Sequence, residues 1–390
     1  MDEVTWDISP HTAAKHLILK KYVQAWAPIL AQGTAHKRLV YIDGFAGPGE
    51  YKGGEDGSPV LVLKALKEHQ LNKSFGGTEF VNIFIEKDER RTKNLEQVIK
   101  ERAEPLPNWI KYSIEHTEFN KEMQKILNHL ETEGKNLAPC FCFVDPFGWS
   151  DIDYEVLASI MKYKKAELLI TFMSGYLERF VWDPLHINSI KKLYSEEQIE
   201  AIKDPRNDES LVTRYFLENL KNKIVSNGGN EDLFSLAFSA YNAHNRLEYY
   251  LIYLTKNCKG FEVMKNAMFD AAKDGSYKFS DFDFDPSQKT FMDYGQEYSW
   301  IQDAAEETEK LLETSFGRGE SIPISVVKSV IICKTKWKYK AAILKHLENN
   351  GKIKIVAEKR RAGIMRNMKI KKFPILSMIS IYLLRKEVYR

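Results

Sequence analysis

A short apolar run that ends in an acid and opens onto a glycine-rich loop constrains this chain more than any other feature. Arg38 to Asp43 (RLVYID) runs into GFAGPGEYKGGEDG, and Ser58-Pro59, an N-cap and first-turn pair, then leads a helix over Val60 to His69. The order is strand, loop, helix. The same grammar repeats: Phe80 to Ile85 (FVNIFI) reads as a strand ending at Glu86, Asp88 to Lys100 as a helix, Trp109 to Ile114 as a third strand, and Lys121 to Leu130 as another helix. Alternation of this kind predicts parallel strands joined by crossover helices, a Rossmann-like α/β fold.

The most apolar segment, Cys140 to Val144 (CFCFV), belongs at the centre of such a sheet, where a strand is covered on both faces. A helix over Tyr154 to Tyr163 and a fifth strand at Leu168 to Phe172 follow. After a helical insert at about residues 180–230, Phe234 to Ser239 and Glu248 to Thr255 read as two closing strands, an antiparallel pair in one reading, which makes seven. Ahead of all this, His11 to Leu30 carries Ala14, Ile18, Tyr22, Trp26 and Leu30 on one stripe, predicting an amphipathic helix against a sheet edge.

A chain of 390 residues exceeds one ordinary core, so a second unit is expected. Turn-formers and alternating Phe and Asp over residues 276–300 mark a linker after a first domain of residues 1–275. Helical patterns at Ile301 to Thr314, Ser325 to Ile332 and Trp337 to Asn349 then lead into strands at Lys352 to Val356 and Arg366 to Phe373. Three helices and a two-stranded wing describe a winged helix-turn-helix over residues 301–373. Residues 374–390 form an apolar and basic tail whose apolar run, Pro374 to Leu384, is shorter than the ~17 to 25 residues of a membrane helix.

In a doubly wound sheet, ligands bind beyond the carboxyl ends of the strands. Asp43, Gly44, Phe45, Ala46, Gly47 and Gly49 occupy that place after the first strand, with glycines spaced GxxGxG and no Gly-Lys-Ser/Thr of a triphosphate loop. A dinucleotide and S-adenosylmethionine both need an acid for their ribose hydroxyls, and Glu86 ends the second strand. The dinucleotide pattern places that acid ~20 residues beyond the glycines, and Glu86 lies much farther away. Asp43 would repel a diphosphate and attract a sulfonium, which favours S-adenosylmethionine over a nicotinamide cofactor. Thr117 and Glu118, after the third strand, are placed to flank an adenine, although Thr117 is equally suited to cap a helix.

Asp145, Pro146 and Phe147 end the fourth strand on the same side. Enzymes that methylate nitrogens use an Asp or Asn, two prolines and an aromatic to hold the amine and stack a flipped base. Here Phe147 replaces the second proline. Displacement at a methyl group needs mostly alignment, so Asp145 to orient the nucleophile would suffice; an Asp-Pro turn is the alternative. Lys15 and His16 have a possible place over the cofactor, but the exposed face of their helix is the preferred reading. Arg179 has two readings, a phosphate contact or a solvated side chain.

Charge is unevenly placed. From Cys333 to Phe373 fourteen Lys or Arg stand against two Glu, a local +12 that leaves −9 on the rest of a chain whose net charge is +3. Lys336, Trp337, Lys338, Tyr339 and Lys340 at the expected recognition helix, and Arg360, Arg361 and Arg366 near the wing, suit phosphate contacts, so DNA or RNA is the expected partner. Cys140, Cys142, Cys258 and Cys333 form no CxxC pair, so no metal site and a reducing, cytoplasmic setting are expected.

The segments YIDGFAGPGEYKGGEDGSP, FVDPFGWSDI and YYLIYLTKNCKGFEVMKNAMF resemble the three-Cys-motif partner proteins over about residues 5–270, and the basic unit resembles the winged helix attached to members of that group. The resemblance implies a Rossmann-like methyltransferase domain that uses S-adenosylmethionine beside a separate protein similar to radical S-adenosylmethionine enzymes. The three cysteines belong to that partner, so no iron–sulfur site is assigned here. The expected activity is methyl transfer to a base nitrogen of nucleic acid or to a substrate delivered by the partner. The competing expectation is a nucleic-acid-binding adaptor with a relic pocket.

Overall fold

The computed structural model describes residues 4–33, 36–71, 75, 77–204, 206–207, 210–229, 233–272, 276–281, 294–316, 321–357 and 379–383. The chain divides into two compact units, Met1–Asp285 and Pro286–Arg390.

The first unit opens with α1 (Pro10–Gly33), β1 (Arg38–Asp43), α2 (Ser58–Lys67), β2 (Glu79–Glu86), α3 (Glu89–Arg102), β3 (Ile110–His116), α4 (Phe119–Thr132), β4 (Cys140–Val144), α5 (Tyr154–Met161) and β5 (Ala166–Phe172). Four helices follow, α6 (Ser174–Phe180), α7 (Ile187–Ile190), α8 (Glu196–Lys203) and α9 (Ser210–Ser226), before β6 (Phe234–Tyr241), β7 (Leu247–Thr255), α10 (Cys258–Ala272) and β8 (Lys278–Ser280). The strands form one sheet in the order β3-β2-β1-β4-β5-β7-β6-β8. β1 to β5 run parallel, and β7 is antiparallel to both β5 and β6. This is a Rossmann-like α/β fold. Its order reverses between β1 and β4, which sets the ligand crevice at their carboxyl ends.

β4 is central, as its composition predicts, with all five residues buried. Phe141 faces α1, with ring centroids 4.6 Å from Tyr22 and 6.1 Å from Trp26. Cys140, Cys142 and Val144 join the core on the opposite face with Leu157 and Met161 of α5. The first helix therefore crosses the middle of the sheet, between α2 and α10, rather than an edge. Its buried surface is wider than one stripe because three neighbours cover it, and this brings Lys15 and His16 inside.

β8, paired to β6, adds an eighth strand inside the segment expected to be a linker, and the next helix begins there too. The helical insert is anchored on the sheet by Phe216 of α9, stacked on Phe172 of β5 at 4.1 Å.

The second unit comprises α11 (Tyr294–Ser315), β9 (Ser321–Pro323), α12 (Ile324–Lys334), α13 (Ala341–Asn349), β10 (Ile353–Ala357) and β11 (Ile379–Leu383), with an antiparallel sheet ordered β10-β11-β9. The partner of β10 is thus Ile379–Leu383, within the expected tail, where Ile, Ile and Leu alternate with Ser and Tyr in strand period. The expected strand at Arg366 to Phe373 lies outside the described residues, as do Arg360, Arg361 and Arg366.

Trp337 does not open a recognition helix. It is buried before α13, stacked on Trp300 of α11 at 5.9 Å and 17°, and its indole N–H donates to Glu307 at 2.8 Å. A large ring with one donor finds both its needs in the core. The surrounding Lys336 is exposed, while Lys338, Tyr339 and Lys340 are half-buried; Lys336 Nζ lies 4.4 Å from the Trp337 ring and Lys340 Nζ 5.4 Å from that of Trp300.

Candidate functional site

The loop after β1 is held by the strands beside it. Gly44 N–H donates to Phe143 O, Ala46 N–H to Ile85 O and Gly47 N–H to Glu86 Oε2, each at 2.9 Å. Two of its glycines are dictated by space. A Cβ on Gly44 would lie 2.5 Å from the Phe119 ring, and Gly49 combines φ +85° with Leu95 at 2.8 Å. The helix after the loop starts at Ser58 itself, with Gly57 as N-cap, because the Ser58 hydroxyl is hydrogen-bonded to Asp43 and not to its own helix.

Asp43 is fully buried under the loop and lines neither cavity of the crevice. Burial pushes its carboxyl up to about 7; the Ser58 hydrogen bond opposes that shift, and the charge of Asp145 reinforces it. The acid expected to face a sulfonium directly therefore lies beneath the loop and outside both cavities. The cause is the chain turning at Gly44, which leaves the Asp43 side chain pointing back toward Tyr41, whose hydroxyl donates to it at 3.3 Å.

Glu86 is buried at the end of β2. Its two oxygens accept from Gly47 N–H at 2.9 Å and from Asp88 N–H at 2.8 Å. Each oxygen retains a second lone pair for a hydroxyl donor.

Two adjoining cavities lie at the strand ends. The smaller, about 230 Å³, is lined by Gly44, Phe45, Glu86, Thr117, Glu118 and Phe119 among others. Thr117 makes no cap; Glu118 holds the N-cap position of α4 without a side-chain bond, and its carboxylate pairs with Lys121 at 2.9 Å. The larger cavity, about 490 Å³, is lined by the loop from Phe45 to Tyr51 and by Lys15, His16, Asp145, Pro146 and Tyr249. Phe45 and Phe147 line both.

At the boundary Phe147 is 57% exposed, edge-on to Trp6 at 5.6 Å, with the Arg91 guanidinium 5.1 Å from each ring. Asp145 is held by Lys15, whose Nζ lies 2.7 Å from Oδ1 and 2.6 Å from Oδ2. Lys15 and His16 are thus part of the site and not the exposed face of their helix. Burial first, and Lys15 second, lower the His16 imidazole to about 4, so His16 is neutral near pH 7. Trp6, Tyr51, Tyr176 and Tyr249 also line the larger cavity, with His11 and Glu248 among others. Arg179 bonds back to Gly175 O at 2.9 Å and lies over the Tyr176 ring.

The sequence thus pointed to the loop, Glu86 and the Asp145 cluster, weighed Lys15 but preferred an exposed face for it, and gave no place to Trp6, Tyr51 or Tyr249. The one available signal for the last was the aromatic density of EYYLIYLT. Among the described residues no three His, Cys, Asp or Glu side chains converge as a metal site, and no helix is long and apolar enough to cross a membrane.

No family model matches the sequence, and neither does any curated protein. The chain is similar in structure to Trm1 from Pyrococcus horikoshii, solved with S-adenosyl-L-methionine, at 12% identity over 65% of this chain and 59% of that one, with a TM-score of 0.37. It is also similar to an O-methyltransferase from Bacillus cereus in complex with SAH (13% identity, 64% and 83% covered, TM-score 0.32). A third is the O-methyltransferase TomG from Streptomyces achromogenes, in complex with SAM (15%, 61% and 79%, TM-score 0.30). The chain has a Rossmann-like α/β domain whose crevice is lined by acids, aromatics and Lys15.

Proposed function

We propose that the chain is an S-adenosylmethionine-dependent methyltransferase. The observation that carries the reading is the use of the loop's own donors. A diphosphate site needs free backbone N–H groups at the glycine turn, and here those of Gly44, Ala46 and Gly47 are taken by protein acceptors, one of them the carboxylate of Glu86. What remains is acidic and aromatic apart from Lys15, which is paired with Asp145, and this suits an adenosine joined to a cationic sulfur.

In this reading the smaller cavity takes the adenosine, with Glu86 accepting from the ribose and Phe45 and Phe119 against the base. The methionyl part enters the larger cavity over Gly47 and Gly49. S-adenosylmethionine supplies an activated methyl group, and Asp145 orients the acceptor N–H beside it while Phe147 offers a stacking face. The exposure of Phe147 at the mouth supports a planar acceptor such as a nucleobase.

The second unit, with its helices and antiparallel strands in the order α11, β9, α12, α13, β10 and β11, is read as a winged helix whose lysines contact phosphates. A separate three-Cys-motif protein is the proposed partner, on the resemblance of the sequence motifs alone.

Calorimetry with S-adenosylmethionine and transfer of labelled methyl to RNA and DNA test the reading. Asp145→Asn should cut turnover at saturating cofactor by about 10²-fold or more. A second reading, a nucleic-acid-binding adaptor, is favoured by the occupation of both Asp145 oxygens by Lys15. It requires no cofactor heat and no transfer.

A further inference from the structure

We infer that Lys15 is the anchor for the α-carboxylate of the ligand, exchanging Asp145 for that carboxylate when the ligand enters. The inference rests on the reading of the two cavities given above. Lys15 is the single lysine or arginine among the described residues lining the larger cavity. Its side chain is 8% exposed, and its ammonium holds both oxygens of Asp145, which is itself 22% exposed to the cavity. The face of the Tyr249 ring lies 5.3 Å from Nζ, so the ammonium is bounded by an aromatic and an acid. The histidine beside it, His16, is kept neutral and offers no competing cation.

A largely buried ion pair that borders a cavity is poorly explained as a source of stability, because desolvation consumes most of its Coulombic gain. It is well suited to a zwitterion. An α-amino acid carries one carboxylate and one ammonium on a single carbon. Lys15 with the first and an Asp145 oxygen with the second conserve every charge pairing as the ligand replaces the internal contact. The other Asp145 oxygen then faces the acceptor N–H. Adenosine derivatives lacking the amino-acid end have nothing to offer Lys15, so this residue sets the preference for the full cofactor over its truncated forms.

The test compares S-adenosylhomocysteine with 5′-methylthioadenosine, which shares the adenosine and the thioether but lacks the amino acid, by calorimetry on the full chain. The wild type should bind the first more tightly. Lys15→Met should weaken it by roughly 10- to 100-fold, the range for a hydrogen bond to a charged group, and leave 5′-methylthioadenosine unchanged. Since Lys15→Met strands Asp145, the double variant Lys15→Met/Asp145→Asn is measured beside it, with melting curves to show that each is folded.

Equal affinity of the wild type for the two ligands would overturn the inference, as would undiminished S-adenosylhomocysteine binding in a folded variant or an equal loss for both ligands. If the wild type binds neither ligand, the cofactor reading itself fails, and the inference with it.

Discussion

Asp43→Asn isolates the electrostatics under the loop. The folded-state carboxyl titrates near 7 against an ordinary 3.8, and its side chain is completely buried. As pH rises from about 4 to 7, the unfolded chain ionises at this position while the folded one stays protonated, so the native state loses stability at up to ~1.4 kcal/mol per pH unit. Over the interval of about three units this amounts to ~4 kcal/mol, fully present as a penalty above pH 7 and absent below about pH 4. Asn removes the titration and keeps an oxygen for the Ser58 hydroxyl. Urea unfolding of both proteins from pH 4.5 to 8.5 should therefore show the variant gaining on the wild type by up to ~3.5 kcal/mol, with a plateau above pH 7.

His16, depressed from 6.5 to about 4, costs both proteins stability as pH falls through that window, so it cancels in the difference. Parallel profiles would refute the assignment of a protonatable Asp43. In the same variant, S-adenosylmethionine should bind more weakly at pH 8, because an ionised Asp43 beneath the sulfonium is lost, while its neutral thioether product should be affected less.

Gly44→Ala forces Phe119 aside and should cost about 1 to 3 kcal/mol in unfolding together with adenosine affinity, because that ring also walls the smaller cavity. Glu86→Ala removes the acceptor shared by Gly47 and Asp88 and should weaken both S-adenosylhomocysteine and 5′-methylthioadenosine by about tenfold or more in calorimetry. Trp337→Ala should destabilise the second unit by about 3 to 5 kcal/mol in thermal unfolding, whereas Lys336→Ala should leave its stability intact and lower the salt slope of RNA or DNA binding by about one.

The parallel core of the first unit was legible in residues because β1, β2, β4 and β5 are short apolar runs closed by an acid or a turn, and CFCFV has no other home than the centre of a sheet. β8 was not, since three residues carry no period, and its pairing to β6 is a tertiary event. Glu86 could be placed because strand ends define the crevice. For Lys15 the exposed face was preferred over the crevice, because helical periodicity separates faces only when one side is covered, and α1 is covered on three. Trp337 misled for a related reason: an indole among lysines looks like a recognition surface until its N–H is found donating to Glu307 inside the fold. Asp43 was found at the right loop but on the wrong side of it, because the direction of one side chain at a turn depends on the glycine that follows.

A crystal structure with S-adenosylhomocysteine bound would decide whether the crevice beyond β1 and β4 is a cofactor site. The ribose hydroxyls should lie on Glu86, the adenine against Phe45 and Phe119, and the α-carboxylate on Lys15. Density for the ligand elsewhere, or a dinucleotide seated with its diphosphate on the loop after β1, would contradict this placement.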